Sequence, residues 1–402
     1  MKLPRIAEPL RHRDFRLLWI GQTVTLLGTS ISNVAFPFQI LQLGGSAVEL
    51  GTFISVYAVS SVVFLLVGGA VADRLPRRTL IIVTELASAA IMATLAVLGF
   101  SGSIQIWHLY VAVVYFGAAT AFAVPALMAL IPELIPEDIL LPGNALRGLS
   151  RHAGRVAGPV IGGILVGLAS PAAAFAFDAA TFGASAVAVA FTRARPLPPR
   201  ARSSMLADIR EGLGFVFSVE WLWVTIFGFA AINAAFIGAS AVGLPLLVTT
   251  VMLAGPATYG TITAAIGAGE ILGSIVIGQI RIRRSGLAMY LFAVAGGIAV
   301  AVYGLVPTLT GALVASVGSG FAFVAFGVLW ESALQRHVPR ALLGRVTSVD
   351  WFGGTLLAPV APLGAALVAE SFGPASLLAG AGLVMMLLAA AGLVLPSIRR
   401  LE

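Results

Sequence analysis

The sequence contains no cysteine, so disulfides and thiolate metal sites are excluded, and its four histidines are too scattered to form a ligand set. Charge is scarce as well. Only 10% of the 402 residues are Asp, Glu, Lys or Arg, whereas a soluble domain carries about 25%. Lysine is almost missing, with Lys2 the single one among 24 basic residues. Apolar residues fill the space: 59% of the chain is hydrophobic and the mean hydropathy is +1.01. Such a composition belongs to an integral membrane protein. No metal and no cofactor is expected.

A helix that crosses a bilayer needs about 20 mostly apolar residues. Twelve segments meet that need, at 17–42, 47–72, 79–100, 107–131, 145–168, 172–192, 221–249, 257–280, 286–306, 308–333, 345–369 and 373–396. The first run is too long for a signal-peptide core and is read as a retained span. The 24 basic residues then precede span 1, follow span 12, or fall at the spans 2–3, 4–5, 6–7, 8–9 and 10–11 junctions, all on one side. The positive-inside rule makes that side cytoplasmic and places both termini there. The isoelectric point near 10.5 therefore reflects topology, and no nucleic-acid partner is expected.

The Pro/Arg-rich stretch at 192–204 is a linker signal. It implies an N-terminal six-helix bundle over 1–192, a cytoplasmic linker over 193–220 and a C-terminal six-helix bundle over 221–402. Features recur across it at a drifting offset: Pro37 and Pro245 by 208, Arg78 and Arg284 by 206, Pro136 and Pro339 by 203, Pro159 and Pro359 by 200. The expected fold is all-α, twelve transmembrane helices in two pseudo-symmetric bundles. Repeats of this kind place a substrate site at the bilayer midplane and work by alternating access.

At this point the chain resembles the major facilitator superfamily. Gly69, Asp73, Arg74, Arg77 and Arg78 match that family's loop signature between spans 2 and 3, with Pro76 where glycine is usual. The residues themselves fit a cytoplasmic latch, in which these arginines pair with Glu133 or Asp350 and Asp73 sits at a helix N-terminus; the alternative is ordinary positive-inside topology, which explains the arginines but not Asp73. The second-half counterpart keeps Arg281, Arg283 and Arg284 but has no equivalent of Asp73. In span 5, Gly154, Gly158, Pro159, Gly162 and Gly163 resemble the signature of the family's drug:proton antiporters. Their spacing also makes a smooth face for close helix approach. Other stretches look like the branch that holds Tap-like multidrug pumps and the enterobactin exporters. The arginine those antiporters often carry in span 4 is missing here.

Ionisable groups inside spans are costly and usually functional. Glu270 lies near the middle of span 8, Asp178 about two turns into span 6 and Glu85 two turns into span 3. All three are candidates for proton coupling; the structural alternatives are a pair with an arginine such as Arg155 for Glu270, polar neighbours for Asp178 and loop arginines for Glu85. Arg147, Arg151 and Arg155 step along one face of span 5, and Arg155 is the fourth coupling candidate. On span 1, Gln22, Thr25, Thr29, Ser32, Asn33 and Gln39 follow helical spacing. The expected substrate cavity is lined by Gln22, Thr29, Asn33, Phe36, Gln39, Phe122, Asn233 and Phe236. Such a lining suits a small lipophilic or amphipathic substrate better than a sugar. No phosphate-binding loop is present, so the energy source is an ion gradient, worth about 2.3 kcal/mol per charge per 100 mV.

The sequence thus points to an exporter in the bacterial inner membrane, driven by protons, whose partners are its substrate, protons and the lipid bilayer, and which functions as a monomer. A dedicated exporter of one metabolite such as a siderophore, or a lipid flippase, would share every motif. A proton-independent facilitator and a non-transporting sensor are the readings from other classes.

Overall fold

The computed structural model describes residues 5–72, 76–193, 205–280, 282–340 and 342–401, with the backbone alone for 5, 65–72 and 205–209. Asp73, Arg74 and Lys2 lie outside the described residues, and Gly69 is described only as a backbone position in a helix.

The first half runs through α1 (Arg13–Gln42), α2 (Ala47–Ala72), α3 (Arg77–Phe100), α4 (Ile106–Leu134), α5 (Leu140–Leu168) and α6 (Pro171–Ala190). Next comes α7 (Met205–Ser218), inside the stretch expected to be linker. It packs on the second half, where Gly212 abuts the Arg345 backbone and Glu211 pairs with Arg345 at 2.8 Å. The second half comprises α8 (Glu220–Val251), α9 (Pro256–Gln279), α10 (Ser285–Leu305), α11 (Leu309–His337), α12 (Leu343–Thr355), α13 (Ala361–Phe372) and α14 (Pro374–Leu393). The chain closes on α15 (Pro396–Arg399).

Among the described residues, ten helices are long and apolar enough to cross a membrane. The twelve-span expectation is completed by two departures from that criterion. Helix α5 is long enough, but Arg147, Arg151 and Arg155 dilute its first half. Span 11 is broken into α12 and α13, with turns over 356–360. The break falls at Pro359 and Pro362, which remove donors and clash with the preceding turn. Proline acts differently in α8, where π-helical turns at Ala239–Gly243 and Leu247–Val251 flank Pro245 and widen the helix around it.

Large apolar side chains cover the outside, including Val97 at 66%, Leu168 at 86% and Phe372 at 72% exposed. Water would penalise that surface and lipid does not. Two compact units emerge, one of Met1–Pro199 with Gly255–Ala264, the other of Arg200–Ala254 with Ala265–Glu402. The first turns of α9 thus belong with the first half. The core of the first unit includes Phe15, Leu18, Leu130, Ile131 and Val189. That of the second includes Met289, Tyr290, Phe326, Trp330 and Met385.

Candidate functional site: buried acids in one bundle, stacked rings in the other

Helices α1, α3 and α6 meet along a line of polar side chains. The Gln22 amide donates to Glu85 Oε1 at 2.5 Å and to Ser185 Oγ at 3.3 Å. One turn along, Thr25 Oγ1 donates to the Thr181 carbonyl at 3.4 Å, and Thr181 Oγ1 reaches Asp178 Oδ1 at 3.1 Å. Ser32 adjoins the same carboxyl, although its Oγ and Asp178 Oδ2 make no hydrogen bond of ordinary geometry. Positions 22, 25 and 32 of α1 thus face 185, 181 and 178 of α6, as antiparallel neighbours must. Two glycines of α1 leave the room: a Cβ on Gly28 would strike Thr181 and Asp178, and one on Gly21 would approach Ser185 Oγ to 2.9 Å.

Both acids are shut away, Glu85 at 6% and Asp178 at 1% exposure. Among the described residues neither has a salt bridge. Arginine does not reach Glu85 there, since Arg78 donates instead to the carbonyls of Val189 (3.2 Å) and Ala190. Gln22 was expected in the substrate cavity, but its amide is committed to Glu85 and Ser185. Phe36 likewise departs from that expectation: it is 8% exposed and packs at 5.0 Å against both Phe53 and Phe175 inside the first bundle. Gln39 is buried at 6%. Thr29 is half-buried and Asn33 exposed on α1, while Phe122 faces Phe64 at 6.4 Å. Ser185, Thr181 and Gly28 were not singled out from sequence. Their signal was present, because Asp178, Thr181 and Ser185 recur at helical spacing on one face of α6.

The glycines of α5 pack two neighbours. A Cβ on Gly158 would collide with Ser30, and one on Gly162 would come within 2.9 Å of the Ile31 carbonyl. Gly163 abuts Pro256 and Ala257 at the start of α9, and Gly260 of α9 abuts the Pro159 carbonyl. Gly154 is looser, since a Cβ there would sit 3.8 Å from Leu26 and Ser30. Arg147 is half-buried, and Arg151 and Arg155 are exposed.

In the second unit Glu270 is 6% exposed, on a stretch of α9 that Gly269 and Gly273 press against Val317 and Phe321 of α11. The main feature there is aromatic. Phe229 of α8 stacks on Phe326 of α11 at 4.1 Å and 5°, and Phe236 lies 4.2 Å from Phe323. A small apolar cleft beside them is completed by Ile232, Phe292, Gly296 and Met385. Asn233 donates to the Gly354 carbonyl at 3.2 Å, which ties α8 to α12.

The loop signature is divided. Arg77 donates to Glu133 and, at 3.3 Å, to the Ala129 carbonyl, which clamps α3 to α4 within the first bundle. Asp350 accepts from Trp330 Nε1 at 3.0 Å within the second. The expected latch therefore contains two contacts internal to their own bundles. No group of three or more metal-ligating side chains occurs among the described residues.

Membrane-crossing helices in two six-helix repeats, each with its own core, define a transporter of the facilitator fold. Residues 6–401 match the family described as transmembrane secretion effector, and the chain belongs to that family of major facilitator exporters. It is 26% identical over 392 residues to an enterobactin exporter of Citrobacter koseri, covering 94% of this chain and 92% of that one. An Escherichia coli enterobactin exporter is 24% identical over 341 residues, 84% and 81% of the two chains. Among solved structures, the nucleoside transporter NupG superposes with a TM-score of 0.76 at 13% identity over 94% and 98% of the chains. A bacterial homologue of the lysosomal transporter Spinster, inward-facing and occupied, does so at 0.75 and 14% identity over 98% of each. These likenesses show the fold.

Proposed function

We propose that this chain exports small lipophilic or amphipathic compounds, drugs or antibiotics among them, across the bacterial inner membrane in exchange for protons. Both termini face the cytoplasm on this reading, and one chain suffices. The observation that carries it is the burial of Glu85 and Asp178 inside membrane-spanning helices of an exporter, where an ionisable side chain is otherwise selected against. Glu270 and Arg155 are further coupling candidates. Thr29, Asn33, Asn233 and Phe236 remain assigned to the substrate, and the stacked phenylalanines of α8 and α11 supply an apolar surface for aromatic compounds. Asp73 and the arginines of its loop are assigned to the turnover of the transport cycle.

The test is reconstitution in liposomes with an imposed pH gradient, following a fluorescent lipophilic cation and lumenal pH together. Proton flux opposite to dye movement, lost when the gradient is collapsed, is the expected result; dye movement indifferent to the gradient would refute proton coupling. Glu270→Gln is expected to uncouple transport while leaving binding largely intact.

A second reading, a dedicated siderophore exporter, is favoured by the similarity to enterobactin exporters at 24–26% identity. Under it the same liposomes move enterobactin and ignore the lipophilic cation.

A further inference from the structure

The polar line between α1, α3 and α6 has a direction. Asp178 lies seven residues beyond Pro171 at the start of α6, and Glu85 eight residues beyond Arg77 at the start of α3. At 1.5 Å per residue each acid is about 10–12 Å inside its own helix start. Those starts belong to opposite faces of the bundle, since α3 begins at the arginine-rich loop and α6 at the other end. Asp178 and Ser185 are seven residues apart on α6, so the acids stand about 10 Å from each other along the bundle axis. A hydrocarbon layer of about 30 Å is thereby divided into three comparable steps.

The side chains between the acids are not the ones packing alone would choose. Gln22, Thr25, Thr181 and Ser185 all carry donors, and Gly21 and Gly28 clear space for them. Glu85 Oε2, Asp178 Oδ2 and Ser32 Oγ are buried without a hydrogen-bond partner. An ionised carboxylate in such surroundings, with no cation beside it among the described residues, is costly. The nearest titratable and charged groups on the packed elements point elsewhere. Tyr115 of α4 donates to the Thr84 carbonyl at 2.6 Å and meets Ser88 at 3.3 Å. Arg78 of α3 is engaged by the end of α6. Asp14 of α1 accepts from the Arg193 backbone, and Arg13 lies 3.8 Å from it. On α5, Arg147, His152, Arg151 and Arg155 lie on the helix that packs against the other side of α1.

We propose that this seam is a two-acid proton store inside the N-terminal bundle, in which Asp178 and Glu85 exchange one proton by way of water in the seam lined by the Thr181, Thr25, Gln22 and Ser185 side chains. When the Asp178 O–H bond breaks, the Glu85 carboxylate gains an O–H bond, with water carrying the proton along the seam, because Thr25 donates to the Thr181 carbonyl and the Gln22 amide only donates. The charge of the pair is unchanged by that move, and it changes only when the pair takes up or releases a proton at either end. The proposal rests on the proton-coupled reading above. It adds that the store lies within the bundle and does not require the substrate.

Two carboxyls about 10 Å apart at an effective dielectric near 20 influence each other by about one pH unit. Their titrations are therefore coupled. The experiment is infrared difference spectroscopy of the purified full-length protein, without substrate, following the carbonyl stretch of protonated carboxyl groups across a pH series. Glu85→Gln and Asp178→Asn assign the bands. The expected result is a protonated band from each acid, with the midpoint of the Asp178 band moving by about one pH unit in Glu85→Gln. Thr181→Val, which keeps both acids and cuts the link, should change both bands. If either acid variant fails to fold, that change in Thr181→Val carries the test alone. Independent midpoints, no protonated band, or a band that sodium ions displace at fixed pH would overturn the proposal. Proton-driven dye transport with independent midpoints would sink the store and leave the coupled exporter standing. Coupled midpoints without proton-driven transport would do the reverse.

Discussion

The contact between α1 and α3 and the contact between α8 and α10 hold matching places in the two repeats, yet their chemistry differs. The first sets Gln22 against Glu85; the second sets Thr225 against Tyr290 at 3.1 Å. Glu85 and Tyr290 are 205 residues apart, within the drift of the repeat. A carboxyl can gain and lose a proton at physiological pH when its surroundings are tuned, whereas a buried phenol serves as a fixed hydrogen bond. The halves share a backbone plan, yet at these matching contacts one carries a carboxyl and the other a phenol, while Glu270 is buried elsewhere in the second.

That division can be broken by substitution. The largest effect is expected from Asp178→Asn and Glu85→Gln, which should abolish pH-driven efflux in proteoliposomes, while Tyr290→Phe at the matching place keeps most of it. Equal losses from all three would mean that the two contacts are only structural. Packing comes next. Gly158→Ala should cost about 1–3 kcal/mol through its collision with Ser30, whereas Gly154→Ala, whose added Cβ would make only ordinary contact at 3.8 Å, should stay within about 0.5 kcal/mol. Thermal inactivation midpoints of the detergent-solubilised variants measure both. In the aromatic half, Phe229→Ala should weaken binding of an aromatic probe by about 0.5–1.5 kcal/mol, read by fluorescence quenching, and should leave the pH dependence of transport unchanged. The smallest effect belongs to Arg77→Gln. Its contact with Glu133 is partly exposed and worth about 0.2–1 kcal/mol, so a shift in inactivation midpoint without lost coupling is expected.

Much of the fold was legible because apolar length and arginine placement are local signals. Helix α2 coincides with its expected span, 47–72, and α3 begins two residues before the expected start. The break in span 11 was not foreseen, although Gly353, Gly354, Pro359 and Pro362 mark it. A matching proline, Pro159, sits in an unbroken helix, because glycines on both sides let neighbouring backbones close around it. Proline spacing alone does not decide between kink and break; the packing around it does. The candidate acids were legible one at a time, from charge inside an apolar run. Their grouping was not, since no spacing rule says that α1 turns residues 22, 25 and 32 towards α6. Span 1 was correctly seen to carry an ordered polar face, but that face is shared between the interior of the bundle and, at Asn33, its exterior.

The connections on the side opposite the arginine-rich loops are short. They run from the single residue Gly373, at φ +83°, to the stretch 101–105, with Gly44 at φ +78° and Gly102 at φ +70° allowing the chain to reverse at once. That side of the protein thus presents almost no loop. A protease or an epitope tag directed at that side would find little chain outside the helix ends.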